Sequence, residues 1–158
     1  MPRPRHHCLA ASLCAAALAL SACTGAPVVP AAQPQAAPLS SLRPSLGQYP
    51  HEGGDYLRQG ALAQRLRALL GPERYAVLLA NLQVSGPLSA EGELWFITGN
   101  RQHQGGAEQA AVVIDPARDA LRVWLLHAGR AQEFTDPPDA HIPWPADVRT
   151  MLGNARQL

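Results

Sequence analysis

The chain has 158 residues, with 13 basic residues against 12 acidic ones and a formal net charge of +1. Once an N-terminal segment is set aside, this length predicts one domain. The nearly neutral balance excludes the strongly basic surface that is typical of nucleic-acid-binding proteins.

The first 22 residues have the pattern of a secretion signal. Arg3 and Arg5 give the start a positive charge, and the apolar stretch Cys8–Leu20 that follows is too short to span a bilayer comfortably as a permanent helix. Removing the two arginines with the signal leaves 13 minus 2, or 11, basic residues against 12 acidic ones, a charge of about −1. We therefore expect a secreted chain from which residues 1–22 are removed.

The signal ends in the four residues Leu20-Ser21-Ala22-Cys23, which resemble a bacterial lipobox. The resemblance implies cleavage between Ala22 and Cys23, a diacylglycerol on the Cys23 thiol and acylation of the new amino group. Several acyl chains would hold the protein firmly on a membrane surface, since one chain alone gives only marginal binding. The alternative is an ordinary signal peptide in which Cys23 is incidental.

Residues 23–45 are rich in alanine and proline and almost free of charge. Such a segment buries too little apolar surface to fold alone, so we expect an extended tether between the lipid and a domain at 46–158. Thr24 is not the aspartate associated with inner-membrane retention in enteric bacteria, which favours an outer-membrane lipoprotein facing the periplasm in a Gram-negative host. The three cysteines, at positions 8, 14 and 23, all precede the domain, which therefore has no disulfide.

Two leucine-rich segments predict a pair of helices early in the domain. Apolar residues recur at helical spacing in each segment, and Gly71 with Pro72 separates the two. The first stripe is Leu62, Leu66, Leu69 and Leu70, and the second is Tyr75, Leu78, Leu79 and Leu82. Both stripes need an apolar cover, which the β segments downstream supply. Tyr49, in the turn-rich stretch before the helices, is expected to cap the core.

Four β segments follow a Gly-Pro-containing connection at 84–90. Runs of β-branched and aromatic residues between turns predict an antiparallel meander. The predicted strands are 93–99, 110–115, 120–126 and 131–134. Trp95 and Trp124 are expected to pair across strands in the core, and Trp144 is expected to pack over the last connection.

A final helix is predicted to open at Pro145 and to carry Val148, Met151 and Leu152 on one face. The fold class is therefore α+β. We expect an antiparallel β-meander of about four to five strands, packed against an N-terminal helix pair and followed by a C-terminal helix.

Residue types that support catalysis or metal binding are present but scattered. Glu91 and Glu93 are close enough to suggest the paired carboxylates of glycoside hydrolysis, but they flank one strand end without a partner acid. The four histidines of the domain lack metal-ligand spacing and are expected at the surface: His51, His103, His127 and His141. We predict no enzyme activity, no metal and no cofactor apart from the covalent lipid. The alternative is an active site assembled in space from distant acids.

The insert between the first two strands is the strongest candidate for function. It reads Asn100-Arg101-Gln102-His103-Gln104-Gly105-Gly106, which is longer than a chain needs to reverse direction. One interpretation is a solvated, mobile loop loosened by its glycines. The other is a projecting probe with a fixed cation at Arg101 and a titratable ring at His103, opposed only weakly by Glu108. Such a probe suits an acidic cleft on a partner.

This insert resembles the loop of the Ivy family, the inhibitors of vertebrate lysozyme. That family displays Cys-Lys-Pro-His-Asp-Cys-Gly between two strands, and the loop plugs the lysozyme cleft with its histidine directed at the catalytic carboxylates. Here Arg101 keeps the cation, His103 the histidine and Gly106 the final glycine. Leucine-rich helices upstream and the run Ala111–Asp115 extend the likeness over about 49–126.

Asn100 and Gly105 stand where that family has its cysteine pair, so the short disulfide that would preorganise the loop is absent. Ordering an open loop costs about 1 to 2 kcal/mol per residue, which implies weaker binding or a changed target. The resemblance and the lipid anchor together predict an envelope binding protein that blocks a lysozyme-type or other peptidoglycan-cleaving enzyme. The alternative is a structural or assembly lipoprotein without inhibitory activity. No nucleic-acid partner is predicted, and the oligomeric state is left open.

Overall fold

One antiparallel sheet between helical layers makes up the described part of the protein, residues 37–155 of a computed structural model. This arrangement confirms the predicted α+β class. The predicted signal at 1–22, the lipidation site Cys23 and residues 24–36 of the predicted tether lie outside the described residues. Within 37–155, neither helix combines the length and the apolar character needed to cross a membrane.

The sheet has six strands: β1 (Val84–Ser85), β2 (Ser89–Glu91), β3 (Leu94–Asn100), β4 (Gln109–Asp115), β5 (Ala120–His127) and β6 (Arg130–Asp136). Their order is β1-β3-β4-β5-β6, with β2 also paired to β3. The helices are α1 (Gly60–Asn81) and α2 (Ala146–Ala155), preceded by a 3₁₀ helix at Leu39–Ser45. The connection expected at 84–90 thus contains two short strands along one edge of β3, and between them the amide of Gly86 donates to the carbonyl of Thr98 at 3.1 Å.

Helix α1 is interrupted at Gly71, whose backbone has φ 70° and ψ 172°. The hydroxyl of Tyr75 donates to the carbonyl of Leu57 at 2.6 Å, although 18 residues separate them. A continuous helix of that length would span about 27 Å. The second half of α1 therefore folds back towards the start of the first half, and the two halves correspond to the predicted helix pair.

Side chains alternate between the two faces of the sheet and form two apolar clusters. The cluster facing α1 includes Leu62, Leu66, Leu78, Ile97, Val112 and Val123. The cluster facing α2 includes Phe96, Val113, Trp124, Val148 and Leu152. Because both faces are covered, the central strand β4 is buried from Ala110 to Asp115.

Two aromatic predictions are wrong. Trp95 belongs to the cluster facing α1 and Trp124 to the cluster facing α2, so the two rings lie on opposite faces of the sheet and do not pair. Tyr49 is 39% exposed and does not cap the core. Tyr56 is the buried tyrosine of this region, because its hydroxyl can donate to the carbonyl of Gln48 at 3.2 Å.

The two ends of the described part pack onto the sheet. Leu39 and Leu42 of the 3₁₀ helix are buried, so Leu39–Ser45, expected to belong to the tether, is folded. At the other end, the guanidinium of Arg122 lies 3.8 Å from the centre of the Trp144 ring, which packs against the cluster facing α2. Trp144 therefore packs over the last connection, as predicted.

Candidate functional site

The predicted loop projects from the paired ends of β3 and β4. The two strands are in register from Trp95 opposite Ile114 to Asn100 opposite Gln109. One further hydrogen bond, from the amide of Arg101 to the carbonyl of Glu108 at 3.0 Å, extends the pairing into the loop. The loop is therefore mounted on the buried centre of the sheet, where its base has little freedom to move.

Two consecutive turns shape the loop. The amide of Gln104 donates to the carbonyl of Arg101 at 3.0 Å, and the amides of Ala107 and Glu108 both donate to the carbonyl of Gln104 at 3.2 Å. The second turn contains Gly106 with φ 89°. Internal hydrogen bonds therefore close both turns of the loop.

His103 occupies the third position of the first turn with φ 59°. This left-handed conformation is uncommon for residues other than glycine, although histidine adopts it more readily than most. The side chain is exposed at the end of the loop. An exposed imidazole at the end of a projecting loop supports a binding role better than a packing role.

The two positions aligned with the cysteine pair adjoin each other. A Cβ atom on Gly105 would lie 3.7 Å from Nδ2 and 4.0 Å from Cγ of Asn100, both at ordinary van der Waals distance. The Asn100 amide also donates to the carbonyl of Arg101 at 3.0 Å. The Asn100 side chain thus packs against position 105, without a covalent bond between the two positions.

Below the tip, a carboxylate joins three strand ends. Glu108 is 8% exposed, and its Oε1 accepts the amide of Ala128 at 2.9 Å. Its Oε2 lies 2.7 Å from Nδ1 of His127 and 3.4 Å from Nη2 of Arg101. We call these four residues the Glu108 cluster. Burial raises the pKa of the Glu108 carboxyl group, but the hydrogen bonds from Ala128 and His127 and the charge of Arg101 outweigh it and lower the pKa.

Arg101 and His103 therefore occupy different environments. The Arg101 side chain is 27% exposed and sits beside Glu108 at the base of the loop, so it does not project as a free cation. Its Nε is buried without a hydrogen-bond partner. His103, together with the exposed amides Gln102 and Gln104, forms the accessible end of the loop.

Two residues under the loop belong to the site although the sequence does not mark them. His127, expected only to be a surface histidine, is exposed but bonded to Glu108. Asn81, at the end of α1, is fully buried and donates from Nδ2 to the carbonyls of Gln109 at 3.1 Å and Leu126 at 2.8 Å. No pattern in the sequence marked His127, because residues 101, 108 and 127 come together only through the register of β3, β4 and β5.

The acids considered for catalysis have other surroundings. The carboxylate oxygens of Glu91 accept the amide of Ala146 at 2.8 and 3.1 Å, which caps the start of α2. Glu93 is exposed. Among residues 37–155 no three histidine, cysteine or acidic side chains are grouped so as to hold a metal ion.

Comparison with known proteins gives one match. The family model described as inhibitor of vertebrate lysozyme (Ivy) matches residues 61–157, which is 97 of the 158 residues. The matched range includes the loop, every strand of the sheet, α2 and all of α1 except Gly60. No curated protein and no solved structure matches the chain.

Proposed function

The chain belongs to the Ivy family, the inhibitors of vertebrate lysozyme, and we propose that it is a cell-envelope protein that inhibits lysozyme or another peptidoglycan-cleaving enzyme. The inhibitory element is the loop Asn100 to Gly106. It acts by occupying the cleft of the enzyme, through shape and charge, and it performs no catalysis of its own.

One observation carries this proposal: His103 is exposed at the end of a hydrogen-bonded loop that stands on the rigid centre of the sheet. A glycosidase cleft contains a pair of carboxyl groups. An imidazole donates hydrogen bonds to carboxylates in either protonation state, and it gains a favourable charge when protonated. A narrow loop with an imidazole at its end therefore complements such a cleft.

In this proposal Arg101 supports the base of the loop and also contributes charge. Because its guanidinium lies beside Glu108, the net charge of the pair is close to zero. Replacing Arg101 would disturb the loop base as well as any contact with the partner. His103 is consequently the sharper position at which to test the proposal.

The test is inhibition of a panel of lysozymes by the unmodified chain and by His103→Asn. Asparagine tolerates the left-handed backbone, so this variant removes the imidazole without reshaping the turn. We expect the inhibition constant to rise about 30-fold, the effect of losing an interfacial contact worth about 2 kcal/mol. His141→Asn, an exposed histidine remote in the sequence from the loop, serves as the matched control and should inhibit normally. If the unmodified chain neither binds nor inhibits any lysozyme at micromolar concentration, the proposal is wrong.

The proposal includes attachment to a membrane through lipid on Cys23, in the outer membrane facing the periplasm if the host is Gram-negative. What supports it is the basic start, the apolar stretch and the four residues that end at Cys23. Cys23→Ser should release the protein from the membrane fraction and remove the acyl mass from the N-terminal peptide. Membrane association that survives this substitution would contradict the lipid anchor.

A second candidate function, a structural or assembly lipoprotein, is favoured by one other surface. A cavity of about 390 Å³ is lined by Tyr49 and Val84, which are the exposed large apolar side chains of residues 37–155. Exposed apolar residues grouped around a cavity suggest a contact surface for a protein partner. This second function would be supported by a protein partner that the His103→Asn variant still captures and the Val84→Asp variant does not.

A further inference from the structure

We propose that Glu108 is a positioning residue that holds the inhibitory loop in its binding shape, in place of the disulfide that the aligned cysteine pair would form. This inference rests on the proposed function of the loop, and it assigns the role to a noncovalent group outside the aligned motif. His127 and Ala128, from the turn after β5, complete the closure.

The need for a closure follows from the sequence. The loop carries glycine at positions 105 and 106, and no cysteine follows Cys23. An open loop must lose conformational freedom when it binds, and that loss weakens affinity. A loop already held in the bound shape avoids it.

The geometry of the Glu108 cluster supplies such a closure. Arg101 directly follows β3 and Glu108 directly precedes β4, so the contact between their side chains joins the two ends of the connection that carries the loop. The same carboxylate is bound from the neighbouring strand by His127 at 2.7 Å and by the Ala128 amide at 2.9 Å. The loop base is thus attached to a third strand end, and a disulfide within the loop would not make that attachment.

Burial makes this attachment strong. A carboxylate that is 8% exposed has little water to replace a lost partner, so its hydrogen bonds with charged or polar donors are worth more than those at an exposed site. The backbone adds a second constraint. Ala128 has φ 50°, a conformation that alanine disfavours, and its backbone amide donates a hydrogen bond to the Glu108 carboxylate.

The first experiment compares the Glu108→Gln variant with the unmodified protein, both expressed from the full chain. The amide side chain keeps the shape of the carboxylate but loses its charge and half of its acceptor capacity. We expect the inhibition constant to rise about tenfold, because the loop must then be ordered on binding. The backbone amides of Gln104 and Ala107, which close the two turns, should exchange with solvent about tenfold faster. His127→Ala, a milder change at an exposed side chain, should shift both quantities in the same direction by a smaller factor.

The second experiment restores the closure covalently. Asn100→Cys with Gly105→Cys, placed in the Glu108→Gln chain, introduces a cysteine pair at the two adjoining positions. With the bond verified by peptide mass mapping, the oxidised protein should regain inhibition and slow amide exchange, and the reduced protein should not. If Glu108 contributed only to overall stability, oxidation of the cysteine pair would not restore inhibition.

The outcomes separate this inference from the proposed function. If Glu108→Gln leaves both amide exchange and inhibition unchanged, or the oxidised cysteine pair fails to restore them, the positioning role is wrong while inhibition by the unmodified chain still stands. If the unmodified chain does not inhibit, the proposed function fails, and amide exchange alone still decides whether Glu108 holds the loop.

Discussion

The Glu108 carboxylate lies 2.7 Å from Nδ1 of His127, a residue 19 positions further along the chain. The contact links the start of β4 to the end of β5 at the point where the loop leaves the sheet. It places a buried anion under a loop whose exposed end carries His103. The loop of this Ivy-family chain is therefore supported by charge and hydrogen bonds from below.

The lowered pKa of Glu108 predicts a pH dependence. A carboxyl group whose pKa falls below its usual 4.5 on folding stabilises the folded state fully above that usual value, and the stabilisation disappears as the pH drops through the lower folded value. We expect the free energy of unfolding, measured in urea between pH 7 and pH 3, to fall more steeply in the unmodified chain than in Glu108→Gln. Parallel curves for the two proteins would show that Glu108 contributes nothing to the acid sensitivity.

Asn81 should be important for stability although it is remote from the tip. Its side chain is fully buried and bonds two backbone carbonyls, those of Gln109 and Leu126. Asn81→Leu keeps the branched shape of the side chain but replaces the amide with larger methyl groups and removes the donor of both hydrogen bonds, which costs about 1 to 3 kcal/mol. Urea unfolding measures the loss, and Gln83→Ala, at an exposed position nearby, should change stability by less than about 0.5 kcal/mol. A loss for Asn81→Leu no larger than that of the control contradicts the prediction.

Gly99 should not tolerate a side chain. A Cβ atom there would lie 2.6 Å from the carbonyl oxygen of Val84 and 3.0 Å from Cα of Ser85, so β1 would have to move away from β3. Gly99→Ala is expected to lower the free energy of unfolding by about 1 to 3 kcal/mol, as overpacking does. Gly86→Ala is the matched control, because a Cβ at Gly86 meets nothing within 4 Å. Equal stability of the two variants would show that the edge adapts freely.

The helices and the main strands were predictable from local sequence patterns. Spacing of three and four residues marked both halves of α1, and runs of β-branched and aromatic residues between turns marked the main strands. Which aromatic residue is buried was not predictable, because the choice between Tyr49 and Tyr56 depends on whether a hydroxyl finds the carbonyl of Gln48 in the folded chain. Trp95 and Trp124 were misplaced because β4 lies between β3 and β5, and the register aligns Trp95 with Leu121 and Trp124 with Thr98.

The candidate site, like the fold, was predictable from the sequence only in part. The position of the loop and the exposure of His103 followed from two strands around a polar insert. The pairing of Arg101 with Glu108 did not, because it requires the register of β3 on β4. His127 required a third strand as well. Contacts that depend on several registers at once are invisible to a single sequence pattern.

Competition for the cleft tests most directly whether the loop blocks the enzyme. A lysozyme inhibited by the unmodified chain is titrated with the chain in the presence of a chitin trisaccharide, which occupies the substrate cleft, and binding is followed by calorimetry. We predict that the saccharide weakens apparent binding in proportion to its own occupancy, and that no ternary complex forms. Unchanged affinity at saturating saccharide, with all three components in one complex, would contradict inhibition through the cleft.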